Sequence, residues 1–244
     1  MYLEVSDIDF RYEKEPLFQG LSFGVEAGEF VSILGPSGCG KSTVLNLLAG
    51  ILTPEAGEIR VDGARVKGMS ARFAYMPQND LLFPWKTIMQ NVCLHAHLHG
   101  SEGEARSRAR ALFPAFGLAG YEDAYPADLS GGMRQRAAFL RTALCDADIL
   151  LLDEPFGALD VISRGDMQDW LVSMKASLGR TCLLVTHDID EAIFLSDRIL
   201  VLNGRPANIC RELRVDAGAR TRDWLYEQKD LRRILHESIR GRAA

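Results

Sequence analysis

No stretch of this 244-residue sequence is apolar for the roughly 18–20 residues that a membrane-spanning helix needs. The opening MYLEVSDIDF has neither a basic segment nor an apolar run, so it does not read as a secretory signal. It alternates like a strand instead. Basic residues are outnumbered, 28 Lys and Arg against 33 Asp and Glu, and the net charge of −5 argues against a dedicated nucleic-acid binder. Cysteine is sparse: Cys39, Cys93, Cys145, Cys182 and Cys210 are scattered, odd in number and without paired metal spacing. A disulfide scaffold is excluded and a reduced, cytosolic compartment fits best. Repeats and low-complexity tracts are absent too. What remains, 47% hydrophobic and 25% charged, is an ordinary globular composition with enough chain for one substantial core.

Two kinds of strand pattern follow. Residues 3–12, 21–25 and 58–63 alternate polar with apolar, as antiparallel strands with one wet face do. FVSILG (30–35), RFAYM (72–76), DILLLDE (148–154), CLLVTH (182–187) and RILVLNG (198–204) are apolar runs, as in parallel strands covered on both faces. A helix is predicted over KSTVLNLLAG, ending on Gly50 as a C-cap. Residues 81–144 lack a strong strand run and read as a mostly helical insertion. At the far end, Trp224, Leu231, Leu235 and Ile239 are spaced like one face of a single helix packed on the body.

GPSGCGKS, Gly35 to Ser42, matches G-x-x-x-x-G-K-[ST] in full, after a predicted strand and before a predicted helix. Gly35, Gly38 and Gly40 let the backbone curl so that N–H groups of Pro36–Ser37–Gly38–Cys39–Gly40 and the helix start converge on phosphate oxygens, proline contributing shape alone. Lys41 would neutralise the β- and γ-phosphates, Ser42 would offer its hydroxyl to Mg²⁺, and Thr43 would reach the α-phosphate side. The substrate is therefore read as ATP with Mg²⁺. DILLLDEP delivers two carboxylates at a strand's C-terminal end, where open α/β sheets bind ligands. Asp153 is expected to hold Mg²⁺ through water. Glu154 is placed to polarise a water for in-line attack. His187, ending another apolar strand, would hydrogen-bond the γ-phosphate as a neutral imidazole. Gln78, after AYMP, would reach Mg²⁺ or the attacking water. Cys39, inside the loop, predicts that alkylation blocks ATP sterically.

A second anion-type element is LSGGMRQR, Leu129 to Arg136. Ser130, Gly131 and Gly132 offer a hydroxyl, backbone N–H groups and a helix N-terminus. An ordinary N-cap explains the serine but not the glycines. If both elements served one nucleotide within one chain, the insertion would have to fold back over the phosphate loop. Two copies arranged head to tail solve this more simply, each closing over the γ-phosphate of the other in a two-fold dimer.

GPSGCGKST, Gln78, LSGGMRQR, DILLLDEP, ALD at 158–160 and His187, in this order, resemble the ATPase subunit of an ABC transporter. The resemblance covers residues 2 to about 205. It implies a P-loop, RecA-like α/β core with an antiparallel β subdomain and an inserted helical subdomain. It divides the chain into an ATPase domain over 1–220, the insertion at about 81–144, and a helical tail over 221–244. It also implies that Tyr12 stacks on adenine and that Asp160 crosses the dimer interface. Met133 departs from the commoner glutamine of the motif. No catalytic position is missing, which disfavours a binding-only cassette.

A free-standing cassette with no fused membrane helices resembles a bacterial importer subunit. Such a subunit lies at the cytoplasmic face of the inner membrane and works with integral permease subunits and, indirectly, a periplasmic or lipid-anchored substrate-binding protein. YMPQNDLLFPWKTIMQNV resembles the importers of nitrate, sulfonates, taurine and thiamine-precursor pyrimidines. Tyr75-Met76-Pro77-Gln78 with Asp80-Leu81-Leu82 leans towards the pyrimidine branch. Phe83 and Trp85 are then expected as partly exposed anchors for a permease helix, with core packing an equal alternative for Phe83. The rival class is a non-transport ATPase switch acting on a soluble or nucleic-acid partner. The charge balance and the Phe83–Trp85 segment speak against it. His95 and His99 stand one helical turn apart, but without a third ligand nearby they read as a polar helix face. The short tail predicts no built-in substrate sensing.

Overall fold

The computed structural model describes residues 1–241 except 158, 217 and 219. Ala158 of the ALD segment and the last three residues of the expected tail therefore lie outside the described residues. Strand β1 (Leu3–Tyr12) pairs antiparallel with β2 (Glu15–Val25), and β3 (Phe30–Leu34) follows. Helix α1 (Lys41–Leu48) leads to β4 (Ala56–Val61), β5 (Ala64–Val66) and β6 (Phe73–Met76). Four helices come next: α2 (Ile88–Val92), α3 (Leu94–Leu98), α4 (Glu102–Leu112) and α5 (Gly131–Ala143). Then come β7 (Ile149–Asp153), α6 (Val161–Leu178), β8 (Thr181–Thr186) and α7 (Ile189–Leu195). β9 (Arg198–Gly204), β10 (Ala207–Arg214), α8 (Arg222–Glu227) and α9 (Lys229–Ile239) complete the described chain.

These strands form one sheet in the order β5-β4-β1-β2-β10-β9-β3-β8-β7-β6. From β9 to β6 the neighbours run parallel, and β1, β2, β4 and β5 pair antiparallel. Every residue of β3, β7 and β8 is buried, as the unbroken apolar runs required. Because side chains alternate between faces, each central strand feeds two cores. Leu150 and Leu152 pack with Phe113, Phe139 and Phe194 among the later helices. Ile149 and Leu151 pack with Leu45 of α1 and Val5 and Val25 of the antiparallel strands. The expected α/β architecture with an antiparallel portion is what the chain adopts.

Two local expectations are corrected. The tail is two helices, because Gln228 (φ −75°, ψ 46°) stops α8 and its side-chain amide bonds back to the Trp224 carbonyl at 3.1 Å. Trp224 thus belongs to α8, while Leu231, Leu235 and Ile239 belong to α9. The Asn203 amide holds the end of α9 at the carbonyls of Ser238 and Ile239, 3.1 and 2.8 Å away. β10 was not expected at all. Its sequence, ANICRELR, is largely polar, and it forms by pairing antiparallel with β9.

Arg198 joins the two ends of the chain. Its guanidinium donates to both carboxylate oxygens of Glu29 (2.8 and 2.9 Å), to Glu212 at 3.0 Å and to the Gly24 carbonyl. Glu29 is itself only 11% exposed at its side chain, so removing the arginine strands a half-desolvated carboxylate. Arg198→Ala is expected to lower unfolding free energy by about 3–5 kcal/mol in urea titration, and Arg198/Glu29 double truncation to cost less than the sum of the singles.

Candidate functional site

The C-terminal ends of the parallel strands gather the chemistry. β3 ends at Leu34, and the turn after it passes so close to β9 that a Cβ on Gly35 would sit 2.3 Å from the Leu202 carbonyl oxygen. Only glycine fits. Gly40, at φ +101°, caps α1 without any side-chain cap, which leaves the helix N-terminus to an anion. The Lys41 ammonium is buried and donates to the carbonyls of Gly35 and Pro36, both at 3.0 Å. It is held across the loop that it would serve. The Cys39 thiol points the other way, into the core beside Val44 and Leu45, and burial pushes its pKa up. In this position the thiol is shielded from alkylating reagents by the core.

Asp153, at the end of β7, is 4% exposed. Ser42 Oγ donates to its Oδ1 at 2.9 Å and Tyr75 Oη to its Oδ2 at 3.1 Å. Burial raises the Asp153 pKa, and these two hydrogen bonds oppose that rise. Among the described residues no ammonium or guanidinium lies within ion-pair distance of it. A buried carboxylate met only by hydroxyls, with the Gln78 side chain across the cleft, is an oxygen donor set suited to a hard divalent cation. The residues present therefore fit Mg²⁺. Tyr75 is the residue that sequence reasoning missed. It sits on β6, whose pairing with β7 puts Tyr75 opposite Leu151 and its hydroxyl under Asp153.

Glu154 follows at φ +43°, a left-handed conformation unusual for glutamate, fixed by its N–H donating to the Val185 carbonyl at 3.0 Å. Its carboxylate lies 3.2 Å from His187 Nδ1 and accepts from Gln78 Nε2 at 3.4 Å. Tyr12 stands at the rim with its ring half exposed, edge-on to Phe10 at 4.9 Å, and its hydroxyl 3.3 Å from Thr43 Oγ1. A cleft of about 420 Å³ is lined by Tyr12, Leu17, Ser37, Gly38, Gly40, Lys41, Ser42, Thr43, Gln78 and Glu154. Leu17, on β2, was also unforeseen.

Ser130, Gly131, Gly132 and Asp160 do not line this cleft. Ser130 caps α5, accepting from Met133 N at 3.3 Å. Asp160 caps α6, accepting from the N–H groups of Ile162 and Ser163, both at 3.1 Å, and these amides, Ser163 first, hold its carboxyl below the usual range. The two caps are neighbours, since a Cβ on Gly132 would lie 3.4 Å from Ser163. Beside them Val161 and Ile162 are 84% and 76% exposed.

Phe83 is half-buried and Trp85 is 69% exposed, their rings 5.1 Å apart. His95 and His99 stack at 4.2 Å, and His97 pairs with Glu102 at 2.6 Å.

A glycine-rich loop entering a helix, a buried carboxylate at the next strand but one, and a strained glutamate facing the same cleft define a P-loop nucleotide hydrolase. The chain belongs to the ABC transporter family, whose model matches residues 18–157. It is 42% identical to the taurine import ATP-binding protein TauB of Yersinia pestis bv. Antiqua, covering 89% of this chain and 86% of that one. It is also 42% identical to the formylaminopyrimidine import ATP-binding protein ThiZ of Halalkalibacterium halodurans, over 98% of each chain. The nitrate import ATP-binding protein NrtD of Synechocystis sp. is 41% identical over 88% of this chain and 83% of that one. Among solved structures, the dimeric ATP-binding cassette MJ0796 bound to ADP and phosphate superimposes with a TM-score of 0.75 at 28% identity. It covers 88% of this chain and all of that one. The protein is an ABC-type ATPase, and ATP and Mg²⁺ are what its cleft serves.

The strand end that carries His187 has a pH-sensitive neighbour. Thr186 Oγ1 accepts from Asp188 N at 3.0 Å and donates to Glu191 Oε2 at 2.6 Å. Glu191 is 5% exposed, and burial pushes its pKa from 4.5 up to about 7. Over this window the native state binds the proton more readily than the unfolded chain, so the contribution of Glu191 is fullest below pH 4.5 and is lost as pH rises through 7. Glu191→Gln should therefore gain on the native protein by up to about 3 kcal/mol between pH 5 and pH 8 in chemical denaturation. Parallel stability curves at the two pH values would contradict it.

Proposed function

We propose that this ATPase works as a head-to-tail dimer that drives import of a small solute through a separate permease. The observation that carries the dimer is the separation of two ligand-ready surfaces on one chain. The phosphate cleft is lined by its own loop, Gln78 and Glu154, while Ser130, Gly132 and Asp160 cluster outside it beside exposed Val161 and Ile162. A second copy would bring that cluster over the γ-phosphate. Dimeric relatives of known structure support the reading.

In this reading Lys41 leaves the carbonyls of Gly35 and Pro36 for the β- and γ-phosphates. Ser42 and Asp153, with Gln78 at the edge, would hold Mg²⁺, which when bound would supply neutralisation of phosphate charge. Glu154, fixed between Gln78 and His187, orients the attacking water and draws off its proton. His187 and Gln78 read the γ-phosphate, Tyr12 stacks on adenine, and Thr43 supports the α-phosphate. Residues 1–220 act as the ATPase domain, with about 81–144 as its helical subdomain and 221–244 as its tail.

The importer assignment rests on the taurine, nitrate and formylaminopyrimidine import relatives. It also rests on the exposed Leu81 and Trp85 in the segment that resembles theirs. No helix among the described residues is long and apolar enough to cross a membrane, so the permease would be other chains and this one peripheral to the cytoplasmic face. The solute would be of sulfonate, nitrate or thiamine-precursor type, delivered by a substrate-binding protein.

Glu154→Gln is expected to lower ATP turnover at least about a hundredfold and to convert from monomer to dimer in light scattering when ATP and Mg²⁺ are added. Adding Ser130→Arg should abolish that shift. A protein that stays monomeric both alone and with its copurifying membrane subunits would overturn the shared-site reading.

A further inference from the structure

The Ser130 turn is tied to the loop that follows Gln78. Arg134, one turn into α5, donates through Nε to Asp80 Oδ2 at 3.1 Å and through one terminal nitrogen to the Leu129 carbonyl at 2.9 Å. Its other terminal nitrogen lies 3.9 Å from where a Cβ on Gly131 would stand. One planar guanidinium thus spans from Asp80 to the underside of the serine–glycine turn. Two helical turns further along α5, Arg141 takes the Asp80 carbonyl at 2.6 Å and the Leu81 carbonyl at 2.8 Å. Residues seven apart share a helix face, so the two arginines grip the same short segment. That segment has no slack: Leu81 is at φ +44°, and Asp80 Oδ1 accepts from Leu82 N at 3.1 Å.

The rest of the loop is equally fixed. Asn91, fully buried, accepts from Phe83 N at 2.7 Å. It donates to the carbonyls of Phe83, Lys86 and Thr87 at 3.0–3.1 Å. The exposed face carrying Leu81 and Trp85 is therefore a preformed loop bolted to α5, and α5 begins at Ser130.

We infer that Arg134 is a positioning residue that sets the Ser130–Gly132 turn by reference to Asp80. This rests on the shared-site reading above. Through it the glutamine loop of one nucleotide site and the turn offered to the other site move as one body, and a partner pressing on Trp85 moves both. An isolated exposed ion pair would be worth little. Here the same guanidinium also bonds the turn's backbone, so losing either anchor frees the turn. Lysine cannot replace it, because a single ammonium does not reproduce the fork that reaches a carboxylate and a carbonyl together.

The test is a double-mutant cycle in the Glu154→Gln background, read as the ATP-driven dimer dissociation constant. Asp80→Ala and Arg134→Ala are each expected to weaken the dimer about fivefold, and the double variant to be no worse than the worse single. Arg134→Lys should fall between, and monomer affinity for a fluorescent adenine nucleotide should stay unchanged throughout. Additive losses, or none, would overturn the inference. The parent protein reports separately on the shared site: if it does not dimerise at all, that reading fails. The clamp is then decided by amide hydrogen exchange in the monomer. Asp80→Ala must speed exchange across residues 129–133 several-fold, and unchanged exchange there refutes it.

Discussion

Asp153 reaches the end of β7 with 4% of its surface exposed, its carboxylate bonded by the hydroxyls of Ser42 and Tyr75. Burying a carboxylate without a cation is expensive, and hydrogen bonds offset only part of the cost. The fold accepts that cost at one point and organises its neighbours around it. β3 brings the phosphate loop and Ser42 from one side. β6 brings Tyr75 from the other. Lys41 stays nearby but commits two of its three donors to Gly35 and Pro36. In the proposed site that negative charge would be met by a divalent cation arriving with the nucleotide, and binding would then relieve a strain that folding built in.

Glu154 repeats the pattern in the backbone. Its left-handed φ of +43° is held by a single amide bond to Val185, one strand over. That bond depends on β7 and β8 keeping register from Ile149↔Thr181 to Asp153↔Val185. The four residues Ile149 to Leu152 of β7 therefore act at a distance from chemistry: they fix the register that aims Glu154 between Gln78 and His187. A slip of one residue would turn both carboxylates to the wrong faces.

Much of this was legible in the residues. β3, β7 and β8 announced themselves because strands buried on both faces read as mostly apolar runs, and the phosphate loop because its spacing has few other uses. The unread parts depend on contacts far apart in sequence. Tyr75 lies 78 residues from Asp153 and matters only once β6 pairs with β7. β10 has no hydrophobic period of its own and exists because β9 offers it an edge. The tail's apolar spacing was real, but periodicity is blind to the break at Gln228, where Arg232 reaches back to the Leu225 carbonyl at 2.7 Å. Arg134 and Arg141 both lie on α5. Their partners sit more than fifty residues earlier.

Ser130 shows how a bland structural role and a functional one can share an atom. As the cap of α5 its oxygen accepts from Met133 N, which uses a lone pair and leaves the hydroxyl proton unspent. The oxygen is held by that bond, while the hydroxyl proton stays free to turn towards a second acceptor. The two glycines that follow the serine, Gly131 and Gly132, add N–H groups without steric bulk. In the proposed shared site, capping would hold Ser130 where its hydroxyl could donate to a phosphate oxygen on a second chain. Truncation to alanine removes cap and donor together, whereas Ser130→Arg blocks the approach outright.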